Sequence, residues 1–543
     1  MKIIKLSLLA LLVVSQFLFS ETPKLPMGMN IPSNNYFTTC TIFRDVMKTA
    51  SPWLTYNSSG ESPWDTEKIK EIPLDPQGYP LELPYKISAA VPPQSVKFLI
   101  NNFYKGRYVV LYDGDGELDF HVPNEKKNGQ TVITLNGTGE NRWIDIKRSK
   151  KGNHIRNIRI LPENEPTEAP VFVREFVDGL KGFHCLRFMD WMNTNFSPQK
   201  EWSGRVNMDD YSQGTDKGIA IEYAILLCNI LQTDAWFCIP HQADDDYIVH
   251  FAELVRDQLD PRLKVYVEYS NEVWNWTFNQ SQYILNNAPG ANDAYVSDAL
   301  KLINPKPSDH PEKDAYMMQR TFKIWSDVFG DKHRHRLVRV AAVQHAWVDN
   351  TRRILQYLFK KDQHGNPVSG REYETSTGAG CDAVSPAGYF GYSDEDAKRW
   401  EADPTRVTAF DVLQAADTGF WKNSGQFTAQ TAKYAKAWKV DYIVYEGGQH
   451  INPPQSRDWI FNPAIWDAQI DPKMYTIYMK LFNQQASPEV DCKLFCAFSY
   501  VGIRKSKWGS WGHLENLEQL KDKSKLKAEA PKFQALIDVN IPR

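Results

Sequence analysis

Two glutamates far apart in the chain each close an apolar, β-rich run. Glu272 follows Asn271 in KVYVEYSNEVWNW (264–276), and Glu446 ends the strand-like part of DYIVYEGGQ (441–449). A carboxylate beside an amide, with the flat rings of Trp274 and Trp276 close behind, is suited to cutting a glycosidic bond. In retaining hydrolysis one carboxylate attacks the anomeric carbon. The other protonates the leaving oxygen and then activates water. The two groups stand about 5 to 5.5 Å apart in such sites. One must start ionised and the other protonated, so their surroundings must differ.

Strand-end residues this distant in sequence meet at the C-terminal face of a parallel β/α barrel, and the rest of the chain has the elements for one. GMNIP (28–32) is a short strand candidate, and residues 40–50, with Ile42, Phe43, Val46 and Met47 apolar, have helical spacing. Residues 63–161 then change character. Strand-like runs at 108–112, 118–122, 131–135, 143–146 and 155–161 are separated by turns such as DGDGE (113–117) and NGTGEN (136–141). Short strands with such turns indicate a β-sandwich. β/α alternation resumes after 163, with strands at 182–191, 235–240, 264–269, 336–344, 383–387, 441–446 and 494–500. Helical runs at 171–180, 218–231, 247–259, 409–416, 430–438 and 529–539 lie among them. With GMNIP the strands number eight. The expected fold is therefore α/β, a (β/α)8 TIM barrel with an inserted β-sandwich domain. Its bounds are 1–20 for a signal peptide, 21–62 for the first β/α unit, 63–162 for the sandwich and 163–543 for the rest of the barrel.

On these residues the chain resembles clan A of the retaining glycoside hydrolases, over roughly 27–50 and 164–540. In that clan the acid/base Glu follows an Asn at the end of the fourth strand, and the nucleophile ends the seventh. The resemblance implies Glu272 as acid/base, Glu446 as nucleophile and Asn271 as a hydrogen-bond partner of the sugar 2-hydroxyl. Arg187, in FHCLRFMDW (183–191), matches the arginine that keeps the nucleophile ionised. His241, after the third strand, matches a substrate-contacting histidine. Tyr389, with Tyr392 as competitor, matches a hydrogen-bond donor to Glu446. His345 follows the fifth strand, and Trp508 or Trp511 would floor the sugar subsite at the cleavage point. No cofactor is implied.

Other residues carry plainer readings. Glu268 reads as a buried carboxylate paired with a cation. Asp244, Asp245 and Asp246 precede a helix, where acids suit the N-terminus, and one of them is a candidate substrate contact. DGDGE lacks the full EF-hand spacing and reads as a hairpin turn. The seven cysteines are odd in number and scattered, which argues against a disulfide framework; Cys185, Cys238 and Cys496 look like core residues. Without CxxC or HExxH, a zinc site has little support.

A net charge of −3 gives no electrostatic case for nucleic acid or an anionic membrane surface. Seventeen Trp, 25 Tyr and 27 Phe make the chain aromatic-rich; a large core takes most of the Phe, and about a third of the Trp are read as flat rings for sugar stacking in a cleft. Lys2 and Lys5 before an apolar stretch at 6–19 read as a secretory signal cleaved after Ser20 or Ser15, which implies a secreted or periplasmic protein. No later segment reads as a transmembrane helix.

The sequence thus leads to the expectation of an exported retaining hydrolase of a β-linked poly- or oligosaccharide. The alternatives are a non-catalytic glycan-binding protein on the same barrel and a transglycosylase using the same carboxylates. Sugar, linkage, endo or exo action and oligomeric state are left open.

Overall fold

The computed structural model describes residues 22–166, 169–286, 310–360, 364 and 380–541, so the signal-peptide reading falls outside the described residues. The barrel strands are β1 (Met27–Asn30), β2 (Cys185–Arg187), β3 (Asp234–Ile239), β4 (Val265–Tyr269) and β5 (Leu337–Val343). They continue with β6 in two pieces (Ala383–Pro386, Gly388–Phe390), β7 in two pieces (Asp441–Tyr442, Val444–Gln449) and β8 (Phe495–Ala497). Every pairing is parallel and follows chain order. The first pieces of β6 and β7 pair through Ala383↔Asp441, and the second pieces through Gly388↔Gly447. β7 then pairs with β8, and β8 with β1, so the ring closes.

Parallel strands covered on both faces are expected to be apolar throughout, and β1, β2 and β8 are buried at every residue. The closing seam is tight. A Cβ on Gly28 would stand 2.4 Å from the Cys496 sulfur, so β1 can approach β8 only with glycine there. Helices flank the sheet, including Ile221–Leu231, Asp245–Gln258 and His310–His333. Asp244 is an N-cap, its carboxylate accepting the Tyr247 amide at 2.8 Å. No described helix is long and apolar enough to cross a membrane.

Between β1 and β2 lie two four-stranded antiparallel sheets. One runs in the order Leu54–Asn57, Gln94–Ile100, Arg142–Ser149, Gly116–His121. The other runs Asn124–Lys127, Gln130–Asn136, Lys105–Asp113, Arg156–Pro162. Val96, Phe98, Ile144 and Ile146 of the first share a buried cluster with Val110, Ile133, Ile158 and Ile160 of the second. The strand Leu54–Asn57 begins before residue 63, where the sequence put the change of pattern. DGDGE is a tight connection: a Cβ on Gly114 (φ +95°) would meet the His154 carbonyl oxygen at 2.0 Å.

The helix expected over 40–50 does not form. The segment holds only a 3-10 turn, Val46–Thr49, capped by Asp45. Its apolar residues serve two cores. Ile42 and Phe43 are buried in the barrel cluster, and Val46 and Met47 in the antiparallel one. Helical spacing registered which residues are buried, but opposed burial pulls the segment out of a helix.

Candidate active site

Arg187, fully buried at the end of β2, is the hub of the C-terminal face. Its Nε and Nη2 each donate to Glu268 over 3.0 Å. Nη1 donates to Asn30 at 3.0 Å and to Glu446 at 3.2 Å, and Nη2 also reaches Asn271 at 2.8 Å. The guanidinium carbon lies 4.9 Å from the centre of the Tyr445 ring. Asn30 fixes the hub to its neighbours by donating to the carbonyls of Tyr445 (2.9 Å) and Ala497 (3.2 Å). Glu268 also accepts from the Trp236 indole at 2.8 Å. It is wholly buried, with burial pushing its carboxyl up and Arg187 pulling it down. That is the paired structural carboxylate the sequence indicated.

Glu272 leaves β4 through a turn in which Ser270 (φ 57°) and Glu272 (φ 42°) are both left-handed. Positive φ in non-glycine residues costs energy and is concentrated where a side chain must be presented in one direction. Its carboxylate accepts from the Tyr445 hydroxyl at 3.3 Å and the Asn275 amide at 3.1 Å. Asn271 turns the other way, donating to Asn195 at 3.0 Å. Gln280 holds the turn by donating to the Asn271 carbonyl at 2.8 Å.

Glu446 is 6% exposed. It shares a hydrogen bond with the Tyr389 hydroxyl. Burial pushes its carboxyl up to about 8; the charge of Glu272 adds to the rise and Arg187 opposes it. The resemblance assigned Arg187 the task of keeping Glu446 ionised. The arginine acts in that direction, but it gives Glu446 one of its five hydrogen bonds and Glu268 two, and burial wins. The outcome is a pair of carboxyls that holds one proton near neutral pH, first because burial disfavours a charged Glu446 and second because the charge of Glu272 opposes another beside it.

The other expected contacts divide. Tyr389 lies against Trp511, ring centres 5.6 Å apart, which places Trp511 beside Glu446's hydrogen-bond partner. Trp508 is 68% exposed, farther out. Tyr392 is engaged with the Asn452 carbonyl. Trp274 is buried with its ring 6.2 Å from Tyr445, a wall of the site rather than an open platform. Trp276 is 55% exposed. His241 is buried against Tyr283, and burial lowers its imidazole to about 4, so it is neutral. His345 is held by the Ser424 carbonyl at 3.2 Å and is likewise lowered to about 4. Neither histidine has a hydrogen bond to either carboxylate of the pair among the described residues.

Tyr445, Asn30, Asn195, Trp236 and Asn275 were not singled out from sequence. Tyr445 stood beside Glu446 in the same motif, and Asn275 within the Glu272 motif, but as one aromatic and one amide among many they carried no separate signal. Among the described residues, one group has metal-ligand donor atoms within 4.8 Å of each other: Asp119, His121 and Asp145. It belongs to the antiparallel sheets, where Lys147 pairs with Asp119 at 2.5 Å and His121 with Asp145 at 2.9 Å. Two hollows of about 740 and 780 Å³ along the helix Arg174–Leu180 contain no part of the Arg187 hub.

No family model matches the chain, and no curated protein sequence does. Solved structures with partial similarity include the GH51 arabinofuranosidase of Xanthomonas axonopodis pv. citri, with TM-score 0.36, 15% identity, and coverage of 64% of this chain and 63% of that one. A family 51 α-L-arabinofuranosidase of Bifidobacterium longum gives TM-score 0.38, 11% identity and coverage of 63% and 64%. A double mutant of the β-glucosidase of Trichoderma harzianum gives TM-score 0.36, 13% identity and coverage of 66% and 86%. The chain thus spans a little under two thirds of the two arabinofuranosidases.

Proposed function

We propose that the protein is a retaining glycoside hydrolase, with Glu446 as nucleophile and Glu272 as acid/base. The observation that carries this reading is the electrostatic coupling of two strand-end carboxyls, each with its own donors. Arg187 and Tyr389 serve Glu446; Tyr445 and Asn275 serve Glu272.

The shared proton is the working proton. With a glycan bound and the proton on Glu272, Glu446 attacks the anomeric carbon while Glu272 protonates the departing oxygen. Arg187 and Tyr389 hold the attacking oxygens, and Asn271, held by Arg187 and Asn195, is the proposed hydrogen-bond partner of the sugar's 2-hydroxyl. Glu272, now ionised, takes a proton from water, which attacks the glycosyl–Glu446 ester and restores both groups. No step requires a cofactor.

The proposed substrate is a β-linked poly- or oligosaccharide, and the proposed location is outside the cytoplasm, from the N-terminal sequence. The two antiparallel sheets are read as one β-sandwich domain set into the barrel; it starts with the strand Leu54–Asn57, earlier than the 63–162 expected from sequence.

The test is product release from β-glucans, mannans, xylans, galactans and marine polysaccharides by wild type and Glu446→Gln. Release by wild type that is lost in the variant supports the reading. Equal release by both overturns the assignment of Glu446. Glycan binding by wild type without release from any substrate favours the non-catalytic alternative, and product lengthening in concentrated substrate favours transglycosylation.

A further inference from the structure

We propose that the outward face of the antiparallel sheet Leu54–Asn57, Gln94–Ile100, Arg142–Ser149, Gly116–His121 binds a neutral polysaccharide chain, through residues that have no part in the Arg187 hub. The choice of a glycan as ligand rests on the glycosidase reading.

Strand pairing sorts the side chains, because successive residues of a strand point to opposite faces. Val96, Phe98, Ile144 and Ile146 turn inward to the buried cluster. Lys97 pairs with Asp145, Asp145 with Asp119, and Trp143 with His121, so these five share the other face. His121 lies flat on Trp143, ring centres 4.5 Å apart. Trp64 reaches the same face from the loop after Leu54–Asn57. Its ring meets Trp143 edge to face at 5.1 Å and carries the Lys97 ammonium 3.6 Å from its centre.

This face is open at its rim and polar at its floor. Trp64 is 50% exposed, and the side chains of His121 and Lys147 are 36% and 47% exposed. Lys97 and Asp145 beneath them are buried. His121 meets Asp145 Oδ2 at 2.9 Å, but Oδ1 is buried with no hydrogen-bond partner among the described residues. A buried acceptor left unpaired is costly, and a ligand hydroxyl supplies the missing donor.

These features match a sugar. An apolar C–H face packs on an indole ring. Hydroxyls both donate and accept, so they suit carboxylates set beside ammonium groups, as Asp119 is beside Lys147. Two lysines stand against two aspartates, and this balance favours a neutral chain over a phosphate backbone. A purely apolar partner would seal Asp145 Oδ1 without a donor.

The test is affinity electrophoresis in native gels with and without mixed-linkage β-glucan, glucomannan, xylan or galactan. Glu446→Gln is the parent, so that the glycan is not consumed, and Trp64→Ala and Trp143→Ala are each added to it. Thermal melts check folding, and Trp64→Ala, in an exposed loop, carries the test if Trp143→Ala does not fold. At least one glycan should retard the parent, and each folded variant should raise Kd for it by about threefold to tenfold, the worth of one aromatic contact. Equal retardation of parent and variants, or no retardation in any gel, overturns the platform. Product release by wild type tests the hydrolase reading separately. Release with unchanged binding by the variants removes the platform alone, whereas weakened binding by the variants without release by wild type supports the platform and removes the hydrolase reading.

Discussion

Arg187 grips Glu268 with two hydrogen bonds of 3.0 Å, and only a single bond of 3.2 Å reaches Glu446. One buried cation therefore answers a structural carboxylate first and a reactive one second. Burial raises Glu446, the charge of Glu272 adds to the rise, and the share of Arg187 left for Glu446 does not offset them, so it can hold a proton near neutral pH.

Glu268→Gln should show the division directly. It removes the main partner of a buried arginine, and breaking a buried ion pair costs about 3–5 kcal/mol, so thermal or urea unfolding should move accordingly. The surviving charge of Arg187 then acts on Glu446 without competition, and the repulsion from Glu268 disappears. Glu446 should ionise at lower pH, moving the alkaline limb of kcat/KM downward. A variant that is destabilised but has an unmoved limb contradicts the sharing of Arg187.

The wild-type pH–rate profile should fall on the alkaline side near pH 8, where burial and Glu272 together place the last proton of the pair. Above that pH both carboxyls are ionised and no acid remains. A plateau through pH 9 to 10 would contradict the shared proton.

The same shift sets a stability trend. The folded protein holds the Glu446 proton to about 8, whereas the unfolded chain releases it near the ordinary glutamate value of about 4.3. Between these values the unfolded state binds fewer protons, so this group's contribution is complete at the acid end and is lost as pH rises through about 8. Glu446→Gln should flatten the fall in melting temperature over that window. Parallel curves for variant and wild type would contradict the raised value.

The two carboxylates should separate kinetically. Glu446→Gly should lose the first chemical step and regain turnover with azide, giving a glycosyl azide of inverted anomeric configuration. Glu272→Ala should still react with aryl glycosides that have good leaving groups, accumulate the glycosyl ester, and with azide give a product of retained configuration. The reverse pattern would exchange the two roles.

Tyr445→Phe removes the hydroxyl that donates to Glu272. A hydrogen bond to a charged group is worth about 1.5–3 kcal/mol, so kcat/KM should fall by roughly tenfold to a hundredfold, while the ring's packing on Arg187 and Trp274 preserves the fold. Unchanged kinetics would make Tyr445 structural only.

Local pattern determined much of this protein. Apolar runs ending at Glu272 and Glu446, the order of eight strands and the position of Arg187 were readable because strand and helix periodicities are properties of neighbouring residues. The pairing of Glu268 with a cation was also readable, since a carboxylate within an apolar strand must be compensated. Tertiary structure alone decided which cation answered it, and how much of that cation was left for Glu446. Asn30, Asn195 and Trp236 reach the site from separate stretches of chain, and only barrel closure brings them together. Spacing over 40–50 recorded burial without saying that two different cores bury it. Of the two tryptophans after β8, only the folded loop sets Trp511 against Tyr389 and leaves Trp508 in water. The physical reason is common to all these cases: periodicity reports that a side chain is buried or paired, whereas its partner is chosen by packing between distant segments.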